Sequence, residues 1–126
     1  MKEVMAVIRM RKMNETKRAL ADAGISSIVA KDVLGRGTTR VDLKLLEGAS
    51  KGHEEAISLL ETSQRLIAKR MLSVVVPDRL VQKTIKTIMK VNQTGQSGDG
   101  RIFVIPVMDA FRIRTGEHGD VAIDEV

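Results

Sequence analysis

Residues 94–107 read TGQSGDGRIFVIPV, which places three glycines within six positions directly before an unbroken run of strand-forming residues. Glycine adopts backbone conformations that other residues avoid, whereas Ile, Val and Phe favour extended strands. An ordinary turn needs one or two glycines. Three of them, with Asp99 and Arg101 beside the last pair, predict a backbone that is shaped for close approach to another group.

The composition limits the class of protein. A chain of 126 residues with 43% hydrophobic content can bury one core, so we expect a single domain over residues 1–126. There is no cysteine, which excludes disulfides and thiol nucleophiles and favours a reducing cytoplasm. The apolar runs are short and the N-terminus alternates charged and apolar residues. We therefore expect a soluble, cytoplasmic protein with no membrane insertion and no signal peptide.

The order of the elements predicts an α+β fold. Apolar, β-branched runs indicate strands, and apolar residues at helical spacing indicate two helices, one capped by Asn14 and stopped by Gly24, the other capped by Asp78 and running to Lys90. The order is β-α-β, long loop, β-α-β, which is typical of a ferredoxin-like sandwich (βαββαβ). The predicted strands are residues 3–10, 27–34, 68–76 and 101–107.

Two features lie outside the repeated β-α-β units. Residues 35–66 form a long loop in which HEEAISLLETSQ has the pattern of a short amphipathic helix, and FRIR, residues 111–114, reads as a short C-terminal strand. The main strands are apolar at nearly every position, as in sheets that are buried on both faces. Since two helices cover one face, we expect the other face to lie in an oligomer interface.

The net charge of +5 has two explanations. Clustered Lys and Arg neutralise the phosphates of nucleic acids, but sheet-based RNA binders also stack bases on aromatic rings. This chain has no Trp, no Tyr and two Phe, so we do not expect a nucleic-acid partner. A small phosphorylated ligand accounts for the basic residues equally well, and a basic ferredoxin-like module for nucleic acid remains the alternative.

Phosphate binding is the chemistry that the glycine segments suggest. Backbone N–H groups exposed by glycines form anion-binding concavities, and nearby cations add charge. LGRG at 34–37 and TGQSGDGR at 94–101 both qualify, although neither has the P-loop spacing. In an extended chain Arg112 and Arg114 point to the same face, where two guanidinium groups suit a polyphosphate.

The same residues carry a resemblance. TGQSGDGRIFVIPV followed by AFRIRTGE resembles the C-terminal signature of the PII signal-transduction family, and MKEVMAVIR, VLGRG and VVVPD fall where that family has counterparts. The resemblance implies a trimer of ferredoxin-like subunits that binds ATP or ADP between subunits, with 2-oxoglutarate and Mg²⁺ joining ATP. It further implies that residues 35–66 are the T-loop, which docks onto the regulated protein.

Site residues follow from the resemblance by position. Lys69 is the best candidate for contacting 2-oxoglutarate or the terminal phosphate, and Thr38, Thr39 and Lys69 are candidates for the effector and Mg²⁺ site. No other metal site is expected. The implied nucleotide-binding residues are Gly35, Gly37, Lys69, Gly98, Asp99, Gly100, Arg101, Arg112 and Arg114.

Departures from the family pattern narrow the expected role. The chain has no tyrosine to uridylylate, and Thr39 stands where the family has a Mg²⁺-binding glutamine. These features resemble the archaeal-type members that inhibit nitrogenase by direct binding. The expected partners are a homotrimer, or a heterotrimer with a paralogue, and a nitrogenase component or an ammonium transporter. No nucleophile, base or metal cluster is visible, and His53 and His118 are read as exposed loop residues, so we expect no enzyme.

Overall fold

The protein is described here by a computed structural model, which covers residues 1–36 and 66–123. The chain divides into two compact units, one formed by Met1–Val33 with Lys69–Val126 and the other by Leu34–Ala68. The predicted HEEAISLLETSQ helix falls outside the described residues. The elements are β1 (Lys2–Arg9), α1 (Met13–Asp22), β2 (Val29–Gly35), β3 (Ile67–Val76), α2 (Val81–Asn92), β4 (Arg101–Pro106) and α3 (Asp120–Ile123).

The four strands form one sheet in the order β2-β3-β1-β4. β1 pairs antiparallel with β3 from Lys2 opposite Val76 to Arg9 opposite Lys69, and antiparallel with β4 on its other side. Each half of the chain therefore contributes two strands between which a strand of the other half is inserted. This arrangement, together with the two helices, confirms the predicted α+β ferredoxin-like sandwich.

The core lies between the sheet and the two long helices. Every second residue of β1 is buried, namely Val4, Ala6 and Ile8, because successive side chains of a strand point to opposite faces. Leu20 of α1 and Ile88 of α2 meet them in the same apolar cluster. Burying side chains of this size contributes roughly 1.5–3 kcal/mol each, so this layer holds the sheet and helices together.

The opposite face of the sheet remains partly open in the single chain. Met5 of β1 is only half-buried and lies opposite Phe103 of β4, which is 44% exposed. Ile105, two residues further along the same face, is 37% exposed. The face opposite the helices therefore carries exposed apolar side chains at Phe103 and Ile105, beside the hydrogen-bonded Glu3 and Ser73, while the predicted oligomer interface stays a prediction.

The predicted helix starts are wrong, whereas the end of the first helix is confirmed. A turn of 3₁₀ helix precedes each long helix, and neither Asn14 nor Asp78 caps one through its side chain. The Asp78 carboxylate instead accepts a hydrogen bond from the amino group of Met1 at 2.6 Å. Gly24, at φ +85°, ends α1 as predicted, with the amide of Ile25 donating back into the last turn.

The predicted C-terminal strand is reduced to a single bridge. Phe111 pairs with His118, and between them the chain turns, with the Gly116 amide donating to the Arg112 carbonyl at 2.7 Å. The extended geometry that would place Arg112 and Arg114 on one face is therefore absent from this segment. The glycine and polar residues between the bridge partners favour the turn over a longer strand.

Gly100 makes a close approach, as the sequence predicts, and the group that it approaches belongs to the same chain. Its φ is +107°, and a Cβ built on it would lie 1.9 Å from the carbonyl oxygen of Val7 in the adjacent strand. That oxygen belongs to the central strand and cannot move away. Only glycine allows the chain to enter β4 at this point.

Replacing Gly100 by alanine should therefore destabilise the protein by at least about 2 kcal/mol, because backbone strain and a clash with fixed backbone add together. Gly95→Ala is the matched control, since Gly95 also has a positive φ of +83° but nothing lies near its missing Cβ. Its cost should stay at about 1–2 kcal/mol. Urea unfolding at one fixed protein concentration measures both, and equal losses for the two variants would contradict this explanation.

Candidate ligand-binding site

Asp99 organises the glycine-rich loop between α2 and β4. Its carboxylate accepts hydrogen bonds from the backbone amides of Thr94 at 2.8 Å and Gly95 at 3.0 Å, and from the Thr94 hydroxyl. The Thr94 bonds, with help from Arg9, hold the pKa of Asp99 well below its usual range. This geometry agrees with the prediction that Asp99 orders the turn through backbone N–H groups rather than acting as a base.

Arg9 ties this loop to the central strand. Its Nη1 donates to the Asp99 carboxylate at 2.7 Å and its Nη2 to the carbonyl of Ser97 at 3.0 Å. A Cβ at Gly98 would lie 3.2 Å from the same Nη2, so glycine leaves room for the guanidinium group. The sequence reasoning missed Arg9, although an arginine that ends an apolar strand in MAVIR is a signal that could have been followed.

Lys69 reaches the same loop from β3. It lies directly opposite Arg9 in the strand register, and its Nζ donates to the Gly98 carbonyl at 3.1 Å. Two cations on neighbouring strands thus converge on one loop. An ammonium group has three donors, and the Gly98 carbonyl takes one of them, so Lys69 retains capacity for an anionic ligand.

The structure brings together one part of the predicted site. Lys69, Gly98, Asp99 and Gly100 lie at the same end of the sheet, and Arg101 follows as the first residue of β4. Gly35 is the last residue of β2. Gly37, Thr38 and Thr39 are outside the described residues, so their proposed roles stay predictions.

Arg112 lies elsewhere in the same chain. Its guanidinium donates to the Glu117 carboxylate at 3.1 Å and to the Val121 carbonyl at 2.9 Å, and it lines a cavity beside Ser73–Val75 of β3. The centre of that stretch is five residues beyond Lys69, or about 17 Å along an extended strand. Within one chain, Arg112 therefore lies far from Arg9 and Lys69. Arg114 lies in the turn that follows Arg112.

This end of the sheet carries the positively charged side chains of Arg9, Lys69 and Arg101. Among residues 1–36 and 66–123, no group of three or more His, Asp or Glu side chains is placed to hold a metal ion. Gly98 and Gly100 are both required by contacts within the chain, so they are not in themselves evidence of a phosphate cradle. The fit to a phosphorylated ligand rests on Lys69, with Arg101 next to the loop.

The His118 side chain is largely exposed, as predicted. It lies 3.5 Å from the Asp109 carboxylate, and its ring stacks on Phe111.

Within the described part of the chain, no helix has the length and apolar character needed to cross a membrane.

The hydrogen bonds of Asp99 predict a pH-dependent contribution to stability. Because the folded-state pKa is lowered from an ordinary 3.8, the stabilisation is complete above that value and disappears as the pH falls through the folded-state pKa. Asp99→Asn should therefore lower the urea midpoint at about pH 7, and the difference from the parent should shrink by about pH 2.5. Asp22→Asn, which removes an exposed carboxylate at the end of α1, is the control. A deficit that is independent of pH would refute the assignment.

Comparison with known proteins places these features in a family. The family model described as nitrogen regulatory protein P-II matches residues 1–117. A protein of Methanobacterium ivanovii named nitrogen fixation nifHD region GlnB-like protein 2 is 46% identical over 123 residues, covering 98% of this chain and 99% of its own. Nitrogen regulatory protein P-II 1 of Escherichia coli strain K12 is 37% identical over 123 residues, covering 98% of this chain and 100% of its own.

A solved structure agrees with the sequence comparisons. The crystal structure of Arabidopsis thaliana PII bound to citrate superposes with a TM-score of 0.73 at 29% identity, covering 99% of this chain and 91% of the other. These names describe regulatory proteins rather than enzymes, as the sequence predicted, and the nifHD-region names agree with the predicted archaeal-type subfamily. The chain belongs to the nitrogen regulatory protein P-II family.

Proposed function

We propose that this nitrogen-regulatory protein binds ATP or ADP in clefts between the subunits of a trimer and controls a target through its T-loop, residues 35–66. In this proposal residues 1–126 form one signalling domain that works in the cytoplasm. Bound effectors shift the population of T-loop conformations and thereby expose or hide a docking surface.

The observation that carries the proposal is the cation cluster, formed by Arg9, Lys69 and Arg101, at the loop of residues 94–101. Arg9 and Asp99 fix the loop to the central strand, and Lys69 is held against Gly98 from the neighbouring strand. Contacts within the chain therefore hold the loop in place, which lowers the entropic cost of binding. Lys69 and Arg101 supply positive charge for a polyphosphate. Arg9 anchors the loop through its hydrogen bonds to Asp99 and Ser97.

The separation of Arg112 from this cluster supports a site shared between subunits. Arg112 lies beside β3 about 17 Å from Lys69 along the strand, so the two cannot clamp the same phosphate from one chain. The apolar face that carries Met5, Phe103 and Ile105 offers a surface for association. In a trimer, Arg112 and Arg114 of one subunit would complete the site begun by the loop of its neighbour.

The effector part of the proposal concerns Lys69 and the start of the T-loop. The two remaining donors of Lys69 suit a terminal phosphate or a carboxylate of 2-oxoglutarate. Mg²⁺ would require oxygen ligands near the phosphates, for which Thr38 and Thr39 are the candidates. A threonine hydroxyl is a shorter ligand than the family glutamine, so we expect weaker coupling between Mg²⁺ and 2-oxoglutarate.

The proposed target is a nitrogenase component. The support is the naming of the similar proteins after a nitrogen-fixation nifHD region, together with the absence of tyrosine from the chain. Control of an ammonium transporter is the alternative target within the same function. The trimer would consist of identical subunits or would include a paralogue.

Isothermal titration of the purified protein with ATP and ADP, with and without Mg²⁺ and 2-oxoglutarate, tests the proposal. Lys69→Met should weaken ATP binding at least about tenfold, equivalent to about 1.4 kcal/mol, because a charge-assisted contact is lost. ADP should be affected less if Lys69 contacts the terminal phosphate. Lys17→Met, at an exposed position of α1, is the control for loss of one positive charge and should bind as the parent does.

Two results would contradict the proposal. The first is equal nucleotide affinity in the two lysine variants. The second is no nucleotide binding by the parent together with salt-sensitive RNA binding, which would favour the basic nucleic-acid module.

A further inference from the structure

The outer surface of α2 carries a line of lysines. Lys83, Lys86 and Lys90 follow one another at i, i+3 and i+7, so they lie on one side of the helix over about 10 Å. All three residues are exposed. Thr84 and Ile88 are buried on the opposite side of the helix, against the core. The line of lysines therefore points away from the sheet.

No acidic residue of α2 offsets this charge. The helix contains no Asp or Glu, and none of its three lysines forms an ion pair with a residue that the structure describes. By contrast, Lys2, Lys12 and Arg70 each pair with a carboxylate of the same chain. The charge of the α2 lysines is therefore available to a group outside the chain.

The arrangement is unfavourable for α2 on its own. Like charges at i, i+3 and i, i+4 repel, as between Lys83 and Lys86 and between Lys86 and Lys90. Lys83 is also the third residue of the helix, where the helix dipole disfavours a cation. The dipole favours only Lys90, in the last turn. A cost without a compensating contact in the described chain indicates that the lysines serve an interaction rather than the fold.

An exposed methionine borders the lysines. Met89 is 45% exposed and lies one turn from Lys86, on the adjoining side of α2. Methionine is enriched in protein–protein interfaces, because its flexible side chain adapts to irregular apolar surfaces. Stacking of nucleic-acid bases instead requires aromatic rings, and α2 has none. Three cations beside one apolar side chain therefore fit a protein better than a nucleic acid.

The main apolar face of α2 is not available to a membrane. Helices that lie on a membrane insert such a face into the lipid, whereas Val81 and Ile88 of α2 are buried in the core. The lysines also lie on the helix-covered side of the sheet, away from Phe103 and Ile105, where the oligomer interface is predicted. Formation of that interface would leave the lysines accessible.

We propose that the surface formed by Lys83, Lys86, Met89 and Lys90 binds an acidic helix of a partner protein. Carboxylates at i, i+3 or i+4, and i+7 of the partner helix would repeat the spacing of the lysines, and an apolar side chain beside them would cover Met89. Complementary charge would speed the encounter and make the affinity sensitive to salt. This contact uses neither the nucleotide site nor the T-loop, so it does not depend on the proposed function.

Two synthetic peptides test the proposal on the assembled full-length protein. The first is an alanine-based helix of about 20 residues with glutamates at i, i+4 and i+7 and a leucine beside them. The second has the same composition, with the glutamates distributed around the helix. Fluorescence anisotropy of labelled peptides measures binding at low salt. The first peptide should bind at least about fivefold more tightly than the second, and its affinity should fall as salt is added.

A double substitution in α2 locates the binding. Lys83→Gln with Lys86→Gln should weaken binding of the first peptide at least about tenfold, because two charged contacts are lost. Its urea midpoint should equal or exceed that of the parent, since repulsion along α2 is relieved. Arg11→Gln with Lys31→Gln removes the same net charge from exposed positions before α1 and in β2, and should bind the peptide as the parent does.

Three results would overturn the proposal. The first two are equal affinity of the parent for the two peptides and undiminished peptide binding by the folded Lys83→Gln, Lys86→Gln variant. The third is tighter binding of poly(U) RNA or of phosphatidylglycerol vesicles that this variant loses, which would assign the surface to nucleic acid or to a membrane. The comparison of the two peptides uses the parent protein alone, so it decides the matter even if the variant does not fold.

Discussion

The Asp99 carboxylate is the point on which the candidate site depends. It joins the Thr94 and Gly95 amides on one side to the Arg9 guanidinium on the other, and so links the loop before β4 to the end of β1. The position of the Gly98 carbonyl, and with it the contact of Lys69, follows from that link. A site with positively charged groups needs such an anchor, because a flexible loop would pay the entropy of ordering each time a ligand binds.

Much of the fold follows from the order of apolar segments in the sequence. Strand and helix periodicity predicts the β-α-β units and their ferredoxin-like arrangement, and Gly24 ends α1 as expected. Asp78 shows why the details were harder to predict. Its carboxylate has the right chemistry for a helix cap, yet the amino group of Met1, 77 residues away in sequence, occupies it instead. Local sequence does not reveal a partner that only the folded chain brings close.

The glycines give a second example. The sequence predicts close approach at Gly98 and Gly100, and the groups that they approach within the chain are the Arg9 side chain and the Val7 carbonyl, while their role toward a phosphate stays a prediction. Arg112 and Arg114 are predicted to share one face of an extended strand, a geometry that the turn at Gly116 removes. Periodicity within one chain also carries no information on a site that two chains would complete, so the separation of Arg112 from Lys69 required the structure.

The central claim is that the nucleotide site combines the Lys69 cluster of one subunit with Arg112 of another, and mixed assemblies test it most directly. Lys69→Met and Arg112→Met subunits, each deficient in ATP binding alone, are unfolded together and reassembled. Random mixing of the two should regenerate intact sites at about a quarter of the clefts, giving ATP binding of parental affinity that neither variant shows alone. Failure to recover any binding in verified mixed oligomers would contradict a shared site and would assign Lys69 and Arg112 to the same cleft half or to unrelated roles.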